Sequence, residues 1–190
     1  MKYTIQYILI IVLLPFTLYS QPVVQAGKVI QCTAPIFSWF MPHNQVLQEL
    51  QQDKRIVNIK QHHDSEASVV ALQNDKRLAG ALTINTARDI IMCSDTSGQE
   101  YQFFSLGKNA MLIGVVVIQK FQTEAECLQQ MEQLTKQIKK IYKKKSDTIF
   151  ENSVAYEMRC TKEKAIQKIT LVKTPDNKIQ VRYFIIPAEK

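Results

Sequence analysis

Only five glycines are spread over the 190 residues, so the chain has little material for the close backbone approach that phosphate and dinucleotide loops require. No G-x-x-x-x-G-K-[ST] or G-x-G-x-x-G run occurs, and no G-x-S-x-G elbow presents a serine nucleophile. Cysteine is also scarce: Cys32, Cys93, Cys127 and Cys160 stand far apart, with no C-x-x-C, H-x-x-x-H or H-E-x-x-H spacing. The common zinc frameworks are therefore excluded, and the sequence calls for no metal and no cofactor. A single tryptophan, no recognisable nucleic-acid motif and no interleaved aromatic set argue against sequence-specific nucleic-acid binding.

Long apolar runs are missing too. The longest, Tyr7 to Leu18, covers a dozen residues, whereas a membrane-spanning helix needs about 20. It follows Lys2, is broken only by Pro15, and precedes Val24-Gln25-Ala26, where small or short side chains stand three and one residues before a cut. This pattern predicts an export signal over residues 1–26, with cleavage after Ala26 and Ser20 as the next choice. A lipidated Cys32 is disfavoured because Gln31 precedes it and Lys28 interrupts the approach. The remainder, residues 27–190, is expected to be one exported domain without a transmembrane segment, periplasmic or secreted.

In such a compartment an even number of cysteines predicts two disulfides. Pairing Cys32 with Cys93 and Cys127 with Cys160 closes each half of the chain separately. Loops of that length stabilise by roughly 4 kcal/mol each in the chain-entropy account.

Charge is unevenly placed. Residues 27–110 carry 8 Lys/Arg and 8 Asp/Glu, while residues 111–190 carry 15 and 9. The excess positive charge of the mature chain thus sits in its second half, which suits an anionic partner.

Hydrophobic spacing predicts an α+β fold: a mainly antiparallel sheet packed with one long amphipathic helix, about 123–144, and a shorter N-terminal helix over 44–53 with Asn44 as its cap. Thr123-Glu124-Ala125-Glu126 has capping-box spacing, and Cys127, Met131, Leu134, Ile138 and Ile141 recur on one face of the long helix. Hairpins are expected from 68–73 with 78–85, from 90–93 with 101–106, and from 166–172 with 179–186. Strands are also expected over 111–121 and 154–159, with Gly114 marking a bulge or a close backbone contact. The polar stretch ending at Ser65 reads as a loop. Both halves run helix, then hairpins, with two cysteines each, yet no residue-level repeat supports a duplication.

Three clusters are candidates for chemistry. Lys136, Lys139, Lys140, Lys143, Lys144 and Lys145 place six ammonium groups in ten residues without an intervening acid; on one helix they form a patch for acidic head groups, or simply a solvated helix end. His62-His63-Asp64 reads as an exposed polar loop rather than a ligand set. Phe37-Ser38-Trp39-Phe40-Met41 is either a docking patch or the lid of a core. The resulting expectation is a non-enzymatic binding protein whose basic half contacts lipid head groups or an acidic macromolecule. Two alternatives are a carrier of an apolar or haem-like ligand, entered past the aromatic cluster, and a small secreted hydrolase assembled from distant residues.

Overall fold

Two four-stranded antiparallel meanders meet at a central seam. The computed structural model describes residues 32–64, 88–106, 110–142, 144–145 and 153–187. The first meander is β1 (Ile56–Asp64), β2 (Arg88–Asp95), β3 (Glu100–Leu106) and β4 (Met111–Lys120). The second is β5 (Lys144–Lys145), β6 (Ser153–Cys160), β7 (Ala165–Lys173) and β8 (Lys178–Pro187). They join through β4 and β8, giving the order β1-β2-β3-β4-β8-β7-β6-β5, with all pairs antiparallel. A helix precedes each meander, α1 (His43–Gln52) and α2 (Glu124–Ile141). Among the described residues the two halves are thus alike in topology even though their sequences show no repeat. The export signal and the hairpin expected over 68–85 lie outside the described residues.

Alternation builds the core. On β8, Ile179, Val181, Tyr183 and Ile185 are all buried, and they share a cluster with Val115 and Val117 of β4 and Ile169 and Leu171 of β7. Val46 and Leu50 of α1, and Cys127, Leu134 and Ile138 of α2, complete that cluster. Each such aliphatic side chain contributes roughly 1.5–3 kcal/mol through burial. Packing therefore holds the helices on one face of the sheet. Exposed ion pairs such as Lys136–Glu132 add little by comparison.

On the opposite face, Gly114 pairs with Phe184 in the β4–β8 ladder and with Phe104 in β3–β4. The Phe104 and Phe184 rings lie 5.9 Å apart across it, and a Cβ at Gly114 would overlap the Phe184 ring. A register shift between Phe104 and Ser105 places a bulge beside the glycine. Gly114 thus serves both roles that its position in a β-branched strand suggests.

Local signals at α2 act as expected. Thr123 Oγ1 accepts from the Glu126 amide at 3.3 Å, and Glu126 Oε2 accepts from the Thr123 amide at 3.2 Å. The helix nevertheless stops at Ile141 rather than near residue 144. Tyr142 takes extended backbone, φ −96° and ψ 110°, and its side chain is 1% exposed. Burying this ring draws the chain off the helix and into β5. At α1 the cap is Pro42, whose carbonyl accepts from the Gln45 and Val46 amides at 3.0 Å. Asn44 lies inside the first turn, where its side chain accepts from the Gln45 amide at 2.9 Å.

The segment expected to end as a loop before Ser65 is the edge strand β1. Its polar character comes from its position: Lys60, Gln61, His62 and His63 are all exposed. Asn58, at φ 57°, forms a bulge between Val57 and Lys60, a feature that twists edges away from unwanted pairing.

Disulfide pairing departs from expectation. Cys32 joins Cys160, with Cα atoms 5.4 Å apart and 128 residues between them in sequence, while Cys93 and Cys127 are free and buried. A Cys32–Cys93 bond is excluded because β2 and β6 stand five strand positions apart, roughly 24 Å at about 4.8 Å per strand. A Cys127–Cys160 bond is excluded by the direction of α2. Its first residue, Glu124, pairs with Lys173 at 2.6 Å, while Tyr142 just beyond its end accepts from Gln167 Nε2 at 3.0 Å. The helix runs antiparallel to β7, leaving Cys127 at the opposite end of the sheet from Cys160.

Candidate functional site

The direction of α2 also decides which cations lie at the same end of the sheet. Tyr142 against Gln167 brings the last turn of α2 to the β6–β7 turn, residues 161–164. Lys139 and Lys140 therefore share one end of the molecule with Lys162 and Lys164, and all four are exposed. Lys144 and Lys145 follow in β5, paired with Glu157 and Tyr156 of β6. Of the six lysines singled out from sequence, three lie on the helix and two on an edge strand; Lys143 lies outside the described residues. Lys136 pairs with Glu132 at 2.6 Å one turn earlier. The described lysines at this end thus come from a helix and a turn rather than from one helix. Lys162 and Lys164 gave no sequence signal because only the fold brings them to α2.

The aromatic entry forms a strap across the core. Phe37 and Trp39 are each 7% exposed, and the Phe37 ring meets Phe103 edge-on at 5.3 Å. At one end the strap is tied by Cys32. At the other, the Phe40 amide donates to the Leu112 carbonyl and the Leu112 amide to the Met41 carbonyl, both at 2.9 Å. Cys32, Ile36 and Phe40 have φ of 50°, 75° and 64°, conformations that a β-branched residue such as Ile36 rarely adopts.

One buried amide ties these parts together. Gln167, fully buried, accepts from Trp39 Nε1 at 3.4 Å, donates to Tyr142, and places Oε1 4.0 Å from Cys160 Sγ. Strap, helix end and disulfide therefore converge on a single side chain of β7. Desolvation holds the Tyr142 hydroxyl far above its ordinary range, so it remains neutral. Gln167 is absent from the sequence-derived candidates, because a glutamine at a core position of a strand has no motif.

Close to that node, Cys32, Cys160 and Glu163 bring their donor atoms within 4.8 Å of one another. Among the described residues this is the group of three or more His, Cys, Asp or Glu that could hold a metal ion. His62 and His63 diverge along β1. His63 Nδ1 lies 2.6 Å from Asp89 Oδ1, and His62 stands at the register position of Ile90.

Two other arrangements resemble chemistry without providing access. His43 Nδ1 lies 3.3 Å from Ser105 Oγ, yet Ser105 is 1% exposed, which keeps a substrate carbonyl from its hydroxyl. Cys93 is buried, and desolvation pushes its thiol up to about 12, so it stays protonated and unreactive at neutral pH.

Comparison with protein-family models, curated proteins and solved structures returns no match. The geometry of the chain itself carries the functional argument.

Proposed function

We propose that this is an exported, non-enzymatic binding protein whose basic end contacts an anionic surface, with acidic lipid head groups as the favoured partner. The observation that carries this reading is the junction of α2 with the β6–β7 turn, which gathers Lys139, Lys140, Lys162 and Lys164 at one end. These residues lie on separate elements, so their clustering is not simply a helix end favouring its own dipole. Ammonium groups at an anionic membrane contribute about 1 kcal/mol each. Four of them are enough for a reversible, salt-sensitive association. The Cys32–Cys160 bond supports export, since disulfides persist in oxidising compartments.

Co-sedimentation of the oxidised protein with vesicles of phosphatidylglycerol and phosphatidylcholine, against pure phosphatidylcholine, tests the proposal. Binding to the anionic vesicles at low salt, reduced at physiological salt, is the expected result. Equal binding to both vesicle types, or none to either, would overturn it.

A further inference from the structure

We propose that Cys32, Cys160 and Glu163 form a binding site for a thiophilic divalent cation, such as zinc, whenever the Cys32–Cys160 bond is reduced. The site shares the β6–β7 turn with the lysine end, Glu163 standing between Lys162 and Lys164, but its donor geometry does not depend on the anionic-partner reading.

Three chain segments supply the donors: Cys32 from the strap, Cys160 from the end of β6, and Glu163 from the β6–β7 turn. All three ligand atoms lie within 4.8 Å of one another. Two thiolates at about 2.3 Å and a carboxylate at about 2.0–2.2 Å from zinc form the protein part of a tetrahedral set, with the fourth position left to water. The two sulfurs need only separate from bonding distance to the edge of such a tetrahedron. Cys32 and Glu163 are half-buried, so solvent and ions reach the cluster from one side, while Cys160 is 1% exposed and fixed in the sheet. Among the described residues, Glu163 has no hydrogen-bond or ion-pair partner. A half-buried carboxylate beside two sulfurs therefore has its acceptor capacity unused. Soft thiolates select zinc over calcium or magnesium.

The chemistry balances in two steps. A dithiol reductant delivers two electrons and two protons to the Cys32–Cys160 bond and is itself oxidised to a disulfide. The cation then binds both sulfurs and displaces the two thiol protons to solvent. In the oxidised protein the sulfurs are bonded to each other, so oxidation and metal binding are mutually exclusive. Either state ties the strap to β6, because both link Cys32 to Cys160.

Cobalt(II) titration of the full-length protein, reduced with a phosphine under argon, tests the site, with circular dichroism followed in parallel. The expected result is thiolate-to-cobalt charge-transfer absorption with the visible bands of a tetrahedral site, bleached by added zinc. Oxidised protein should give no such bands. Cys32→Ser should abolish them, and Glu163→Gln should weaken cobalt binding by at least roughly tenfold. Absence of the bands in the reduced protein would overturn the proposal, whether the strand signal is kept or lost. Bands that persist in Cys32→Ser, or an unchanged affinity in Glu163→Gln, would overturn it equally.

Discussion

Removing the Cys32–Cys160 bond by the paired change Cys32→Ser and Cys160→Ser should have a large and specific effect. The bond spans 128 residues of sequence. Closing a loop of that size in the unfolded chain corresponds to roughly 5 kcal/mol in the chain-entropy account. Compactness of the real unfolded ensemble makes this an upper figure. The folded side loses little else, because Phe37 and Trp39 keep their burial and Phe40 and Met41 keep their bonds to Leu112. The thermal midpoint should therefore fall by about 10 °C or more. In urea the dependence of stability on denaturant should also steepen, because the uncrosslinked chain exposes more surface when unfolded. Urea titration followed by circular dichroism measures both quantities, and peptide mapping without reductant identifies the bonded pair. A loss below about 1 kcal/mol, or mapped Cys32–Cys93 or Cys127–Cys160 peptides, would refute the reasoning.

Two further outcomes follow from the packing. Gly114→Ala should cost roughly 1–3 kcal/mol by overpacking against Phe184, and Phe184→Leu in the same chain should recover part of that loss in urea titrations. Cys93, held neutral by burial, makes stability fall with rising pH. The contribution is fully present below the unfolded thiol value of about 8.5 and is lost as pH rises from there toward about 12. Cys93→Ala should flatten that alkaline slope in urea titrations at stepped pH, whereas an unchanged slope would place the titration elsewhere.

Where the sequence was legible, the signal was local. Thr123 and Glu126 announce the start of α2 because a capping box needs only residues three apart. The β7–β8 hairpin is legible because Pro175 and Asn177 suit its turn, with Asn177 at φ 55°. Where the sequence misled, a distant contact decided. α2 ends early because the buried Tyr142 meets Gln167, 25 positions along the chain. β1 passes for a loop because an edge strand with exposed Lys60, His62 and His63 lacks apolar alternation. The disulfide joins the two halves rather than closing each, since the strap runs from Leu112 of β4 across the β4–β8 seam to Cys160 of β6. No local pattern encodes that crossing.

The candidate site divides in the same way. Lysine density in residues 136–145 is legible as a run, but a strip of sequence is not a surface. The fold gives Lys144 and Lys145 to β5 and places the end of α2, with Lys139 and Lys140, at the same end of the sheet as the turn that carries Lys162 and Lys164. The Cys32, Cys160 and Glu163 cluster has no spacing motif at all, because its first ligand is separated from the others by most of the chain.

Whether the end formed by α2 and the β6–β7 turn binds anionic surfaces is decided by one comparison. Lys140, Lys162 and Lys164 are changed together to Ala, and an equal charge is removed elsewhere by changing exposed Lys54, Lys60 and Lys120 to Ala. Partitioning of both variants onto phosphatidylglycerol vesicles is then measured at low salt. At about 1 kcal/mol per lysine, the first variant should lose roughly two orders of magnitude in partitioning, and the second should stay close to the parent. Equal losses in both would show that net charge alone drives association, and would contradict the assignment of the site.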